Sequence, residues 1–184
     1  MSQSNTYTAT PATDNYFAFY ELPVSFHPDP QAVKDQFYLL SRRYHPDHFA
    51  TAAPDAMVHN LQMAARNNQA YKTLRHPDAT MAYVLQLHNL LTPDEKYSLP
   101  PAFLMEMMDL NEAISDFENT PHSEEAALAA RNSLAEQLQA WQQQAQALTA
   151  RYQPGADNHE LLLQIKDCYY RKKYLMRIQE RLEK

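Results

Sequence analysis

The stretch FYLLSRRYHPDHFA, residues 37–50, holds a helix and the signal that stops it. Val33, Phe37, Leu40 and Tyr44 recur at spacings of four, three and four, which draws one apolar stripe down a helix. Pro46 ends that helix, because the residue before a proline is pushed out of helical conformation. Upstream, Asp29-Pro30 supplies the start: a capping carboxylate, then a proline whose missing N–H costs nothing in the first turn. The spacing predicts a helix over 30–44. Its polar side carries Lys34, Arg42 and Arg43 against a lone Asp35, a positive strip on a chain whose net charge is −6 at pH 7.

C-terminal to Pro46, a second helix is expected from Pro54-Asp55 to Leu74, with Met57, Leu61, Ala64, Asn68 and Tyr71 on its inner face. The two stripes can pack as an antiparallel hairpin, and the connection from His45 to Ala53 is longer than such a turn needs. Upstream, YFAFYELP (16–23) reads as one or two helical turns ended by Pro23. Downstream, residues 76–91 suggest a third helix through Met81, Val84, Leu85 and His88. TPDEKYSLPP (92–101), with three prolines, reads as a linker. Beyond it Phe103, Met107, Leu110, Ile114 and Phe117 form a further stripe. Thr120-Pro121 is expected to cap a helix carrying Leu134, Leu138, Trp141, Ala145, Leu148 and Tyr152. Gly155 should break it before a last helix with Leu161, Ile165, Cys168, Leu175, Ile178 and Leu182 on one side, interrupted by Arg171. The expected fold is all-α: a helical hairpin unit over 15–91, a linker over 92–101, and an antiparallel three-helix bundle over 102–184.

Composition narrows the function. A single glycine in 184 residues leaves out the Gly-rich phosphate loops and dinucleotide fingerprints. The acidic balance argues against nucleic acid as a partner. One cysteine, Cys168, excludes a disulfide framework or a Cys-pair metal site and fits a reducing compartment. Residues 1–14 are polar and Thr-rich, which reads as a disordered tail rather than a secretory signal, and no stretch is apolar for long enough to span a membrane. The expectation is a cytoplasmic protein with no membrane partner.

The tripeptide His-Pro-Asp occurs three times, at 27–29, 45–47 and 76–78, with unlike flanks and unequal spacing. The first copy supplies Asp29 as a helix cap, and in the third Asp78 can cap the helix that follows. The middle copy, His45-Pro46-Asp47, lies between two amphipathic helices. There it presents an imidazole beside a carboxylate that suits a partner's arginine. The basic strip before it could steer docking to an acidic partner. His45 and His48 would suit a metal only if further ligands converged, and no second pair at helical spacing lies nearby. Nor does a recognisable pocket surround the acid–base pair, so the expectation is no metal, no cofactor and no catalytic activity.

A second surface is readable further on. Once Phe103, Met107, Leu110, Ile114 and Phe117 are assigned to a core, Leu104, Met105 and Met108 remain as apolar residues the core does not require, bordered by Asp109, Glu112 and Asp116. Adaptable Leu and Met side chains with an acidic border suit a protein partner. The alternative is a helix that packs on two sides. Tyr170 and Tyr174 are likewise surplus on the last helix and share a face.

The segments NYFAFYELPVSFHPD, FYLLSRRYHPDHFA, NNQAYKTLRHPDATMAYVLQLH and, after the linker, AFLMEMMDLNEAI together resemble the HscB family, J-domain co-chaperones of iron–sulfur cluster assembly. The likeness covers most of residues 15–115, and over 120–184 it rests mainly on helical pattern. It implies a J-domain over 15–91 that stimulates the ATPase of a specialised Hsp70 (HscA-like), and a C-terminal domain that delivers an iron–sulfur scaffold (IscU-like). Carried over by motif, His45, Pro46 and Asp47 would be the stimulating residues, supported by Lys34, Arg42 and Arg43. Leu104, Met105, Met108, Asp109, Glu112, Asp116 and Tyr170 would meet the scaffold. His48 departs from the family, where a lysine commonly follows the tripeptide, and makes the charge there depend on pH. A J-domain protein serving another client, or a helical adaptor without an ATPase partner, are the competing expectations.

Overall fold

The computed structural model describes residues 14–49, 53–92, 94–120 and 122–183. Among them every regular element is helical, and the chain forms two compact units. The first comprises the residues up to Leu91 together with Tyr152–Asn158; the second comprises Thr92–Arg151 and the residues from His159 on. No described helix is long and apolar enough to cross a membrane. The tail expected over 1–14 lies outside the described residues except for Asp14, whose carboxylate pairs with Arg66.

In the first unit α1 (Tyr16–Phe19) is capped by the Asn15 side chain and ends early, where Glu21 takes a left-handed φ of 56°. Helix α2 (Pro30–Arg43) starts as expected, with Asp29 Oδ1 accepting from the Gln31 N–H at 2.9 Å. Val33 and Leu40 are buried, while Phe37 stacks on Tyr71 of α3 (Pro54–Leu74) at 4.1 Å. Helix α3 turns a different face inward from the one expected. Asn60, Asn67, Ala70 and Leu74 are buried, whereas Met57, Leu61 and Asn68 are exposed. At 3.6 residues per turn the true face lies about a quarter of a turn away. Buried polar groups hold it there: Asn67 Nδ2 donates to the Phe37 carbonyl and to Ser41 Oγ, both at 3.0 Å, and Tyr20 Oη donates to Asn67 Oδ1 at 2.8 Å. Helix α4 (Pro77–Leu87) buries Thr80, Met81, Val84 and Leu85. Its cap is His76 rather than Asp78, because Pro77 occupies the first turn and leaves Asp78 inside the helix.

The second unit opens with the proline-rich segment, which leads into α5 (Pro101–Glu106), followed by α6 (Met108–Asn119), α7 (Glu124–Thr149) and α8 (His159–Leu182). The stripe from Phe103 to Ile114 is buried as expected but spans two helices, interrupted at Met107 with ψ of 4°. The Met107 carbonyl opens α6, accepting from the Asn111 N–H at 2.9 Å and from Asn111 Nδ2 at 2.8 Å. The core adds Ala130 and Leu134 from α7 and Leu175, Ile178 and Leu182 from α8. Helix α7 is capped by Ser123, whose hydroxyl accepts from the Ala126 N–H, while Thr120 closes α6 through the Asp116 carbonyl. Helix α7 also stops at Thr149, well before Gly155, which sits in the following turn at φ 81°.

Candidate functional site

The first surface grows from the C-terminal end of α2. Tyr44 caps the helix, and the chain turns directly into a short 3₁₀ turn, Pro46–Phe49, in which proline's fixed φ is accommodated at the first position. His45 and Asp47 therefore emerge on either side of a rigid residue, with side chains 54% and 87% exposed. His45 Nδ1 accepts from the Asp47 N–H at 3.3 Å and lies 3.6 Å from Asp47 Oδ2. One ring nitrogen thus faces a donor and an acceptor of the same residue, and the Asp47 carboxylate beside it stays largely exposed. The side chain of His48 lies outside the described residues.

Lys34, Arg42 and Arg43 are all exposed on α2, and Asp35 is occupied by Gln31 at 2.8 Å. Arg42 and Arg43 also sit in the last turn, where positive charge complements the helix dipole. The guanidinium of Arg43 lies over the Tyr44 ring at 5.5 Å. Sequence reasoning missed Tyr38 and Leu39, which stand 49% and 57% exposed on the same helix. The signal was available: both are apolar yet lie outside the Val33–Tyr44 stripe.

The second surface lies on α5 and α6. Leu104, Met105 and Met108 are 44%, 69% and 63% exposed, while Phe103 before them and Met107 among them are buried. Asp109, Glu112 and Asp116 continue on the exposed side of α6. Tyr170 and Tyr174 of α8, expected to share a face, part company. Tyr170 Oη donates to Glu95 Oε2 at 3.2 Å and its ring stacks on Tyr97, so its contacts are with the proline-rich segment. Tyr174 is the one that reaches the helices bearing the strip, exchanging hydrogen bonds with Asn111 and meeting Phe103 edge-on at 5.6 Å. Among the described residues no three His, Cys, Asp or Glu side chains converge as a metal site would require. Cys168 is buried, and its thiol is pushed up to about 11 by that burial.

A family model described as the HSCB C-terminal oligomerisation domain matches residues 99–183. The chain is 37% identical over 116 residues to the co-chaperone protein HscB homolog of Vibrio cholerae serotype O1, a span of 62% of this chain and 68% of that protein. Among solved structures, chaperone HscB from Vibrio cholerae is similar with a TM-score of 0.65 and 30% identity, over 91% of this chain and 99% of that one. The human co-chaperone protein HscB has the same fold, with a TM-score of 0.71 at 22% identity over 94% and 82% of the two chains.

Proposed function

The chain belongs to the HscB family of co-chaperones, and from that premise we propose that it couples two proteins without chemistry of its own. Through His45-Pro46-Asp47 and the basic residues Lys34, Arg42 and Arg43 it engages an HscA-like Hsp70 and stimulates ATP hydrolysis there. Through Leu104, Met105, Met108, Asp109, Glu112 and Asp116 it holds an IscU-like iron–sulfur scaffold as client. The reading places it in the cytoplasm, a reducing compartment that suits its single buried thiol.

The observation that carries the reading is the exposure of both members of the His45/Asp47 pair on a proline-stiffened turn directly after a basic helix. A carboxylate so placed accepts a fork of donors from a partner's arginine, and desolvation in the complex strengthens that bond. The surrounding positive charge accelerates encounter with an acidic face. The strip supports the client half, because flexible, exposed Leu and Met side chains adapt to a partner surface while flanking carboxylates favour a basic one.

Two variants test the halves separately. Asp47→Asn abolishes stimulation of the partner ATPase in steady-state turnover while circular dichroism stays unchanged; undiminished stimulation would overturn the mechanism. Leu104→Ala with Met108→Ala lowers scaffold affinity by about tenfold or more, measured by calorimetry, since two exposed anchors are lost. That double variant keeps scaffold-independent stimulation, and normal scaffold affinity in it would reject the surface.

A further inference from the structure

Helix α5 is only six residues long and has no side-chain cap, yet it carries two of the three exposed apolar side chains of the strip. A helix that short does not hold itself in water, so its position depends on what it is tied to. Phe103 anchors it below. The segment just before it is tied to α8 by a group of side-chain contacts.

Glu95 pairs with Lys166 Nζ and accepts from Tyr170 Oη at 3.2 Å. The Tyr97 ring lies flat on Tyr170, with centroids 4.2 Å apart and planes within 4°. Tyr97 Oη donates to Asp167 Oδ1 at 3.0 Å, and the other oxygen of Asp167 accepts from Arg171 Nε at 2.6 Å. The Arg171 guanidinium then lies over the ring of Phe103 at 4.9 Å, so the chain of contacts that begins at Tyr97 ends on α5 itself. Leu99 packs on the core, and Pro100 and Pro101 leave little freedom between this strap and the helix. Burial and neighbouring carboxylates push both tyrosines up to about 12, and Lys166 holds Glu95 below the usual carboxylate range.

We propose that Glu95 and Tyr97 are positioning residues for the client surface: by clasping α8 they fix the entry to α5 and so present Leu104 and Met105 in a preorganised arrangement. The inference rests on the scaffold reading of that strip. Preorganisation raises affinity by removing an ordering cost that binding would otherwise bear. The clasp is therefore expected to act on scaffold affinity without touching the scaffold.

The test uses the full chain and the cluster-free IscU-like scaffold from the same cells. Glu95→Gln with Tyr97→Ala is expected to weaken scaffold binding about tenfold and to speed amide hydrogen exchange over residues 102–106, leaving the rest of the second unit protected. Tyr97→Phe alone loses the bond to Asp167 but keeps the stack and the Glu95 contacts, and is expected to hold affinity within about twofold of the unaltered chain. Unchanged affinity overturns the proposal, whether or not α5 loosens. Weaker binding with α5 still protected also overturns it, because the segment would then be a direct contact. Leu104→Ala with Met108→Ala, measured alongside, separates the two claims: if that pair binds normally the scaffold reading fails, and if only that pair binds weakly the positioning proposal fails.

Discussion

Asn67 is a buried polar residue on which the first unit depends. It donates to the Phe37 carbonyl and Ser41 Oγ of α2 and accepts from Tyr20, so one amide links three separate pieces of chain. Asn67→Ala leaves those groups buried and short of partners, a cost of about 2–3 kcal/mol. Thermal unfolding followed by circular dichroism should shift accordingly, while the fluorescence of Trp141, the one tryptophan and a member of the other unit, should report no early loss. An apolar pattern could not find this residue, because its neighbour Asn68 is equally polar and the groups that satisfy Asn67 lie far away in sequence. The His45/Asp47 pair was legible for the opposite reason. Its geometry is local, set by one proline and the end of one helix, so the exposed turn itself could be read from the flanking sequence.

Elements follow the same logic: a boundary is readable when its signal lies in the residues themselves. Asp29-Pro30 opens α2 as read, whereas α4 ends four residues sooner than its apolar residues suggest. Asn89 turns to φ 57°, the Leu90 N–H donates to the Leu85 carbonyl and the Asn89 N–H to that of Gln86. This is a Schellman closure with asparagine in the place glycine usually fills, in a chain with a single glycine to spend. Asn89→Ala should cost about 1–2 kcal/mol and Asn89→Gly close to nothing, since only the former strains the left-handed conformation. Equal unfolding midpoints for the two variants would exclude that explanation. The exposed apolar strip on α5 and α6 was readable as surplus, yet the break at Met107 was not, because Met107 is itself a buried core residue and the apolar spacing runs through it unchanged.

At the scale of the whole molecule, the first unit takes in Tyr152–Asn158, residues that a reading along the chain assigns to the far bundle. His88 Nε2 and Tyr152 Oη are 2.9 Å apart, and Phe26 meets the Tyr152 ring edge-on at 5.1 Å. Burial holds the His88 pKa below its ordinary 6.5, so the unfolded chain binds a proton there before the folded one does. The resulting stability is fully present above pH 6.5 and is lost as pH falls through the folded value, at up to about 1.4 kcal/mol per unit. Urea unfolding at pH 7.5 and 5.5 should show a steeper loss in the wild type than in His88→Gln; equal losses would mean that the contact is not coupled to folding. Tyr152 has a further consequence for anyone who treats the first unit as a portable cassette. Cut after Leu91, it would carry away His88 and Phe26 but leave their aromatic partner behind, so a chimaera grafting residues 15–91 onto another helical module inherits an open seam. A faithful transplant must bring a loop with it, or replace Tyr152 by a ring of the recipient's own.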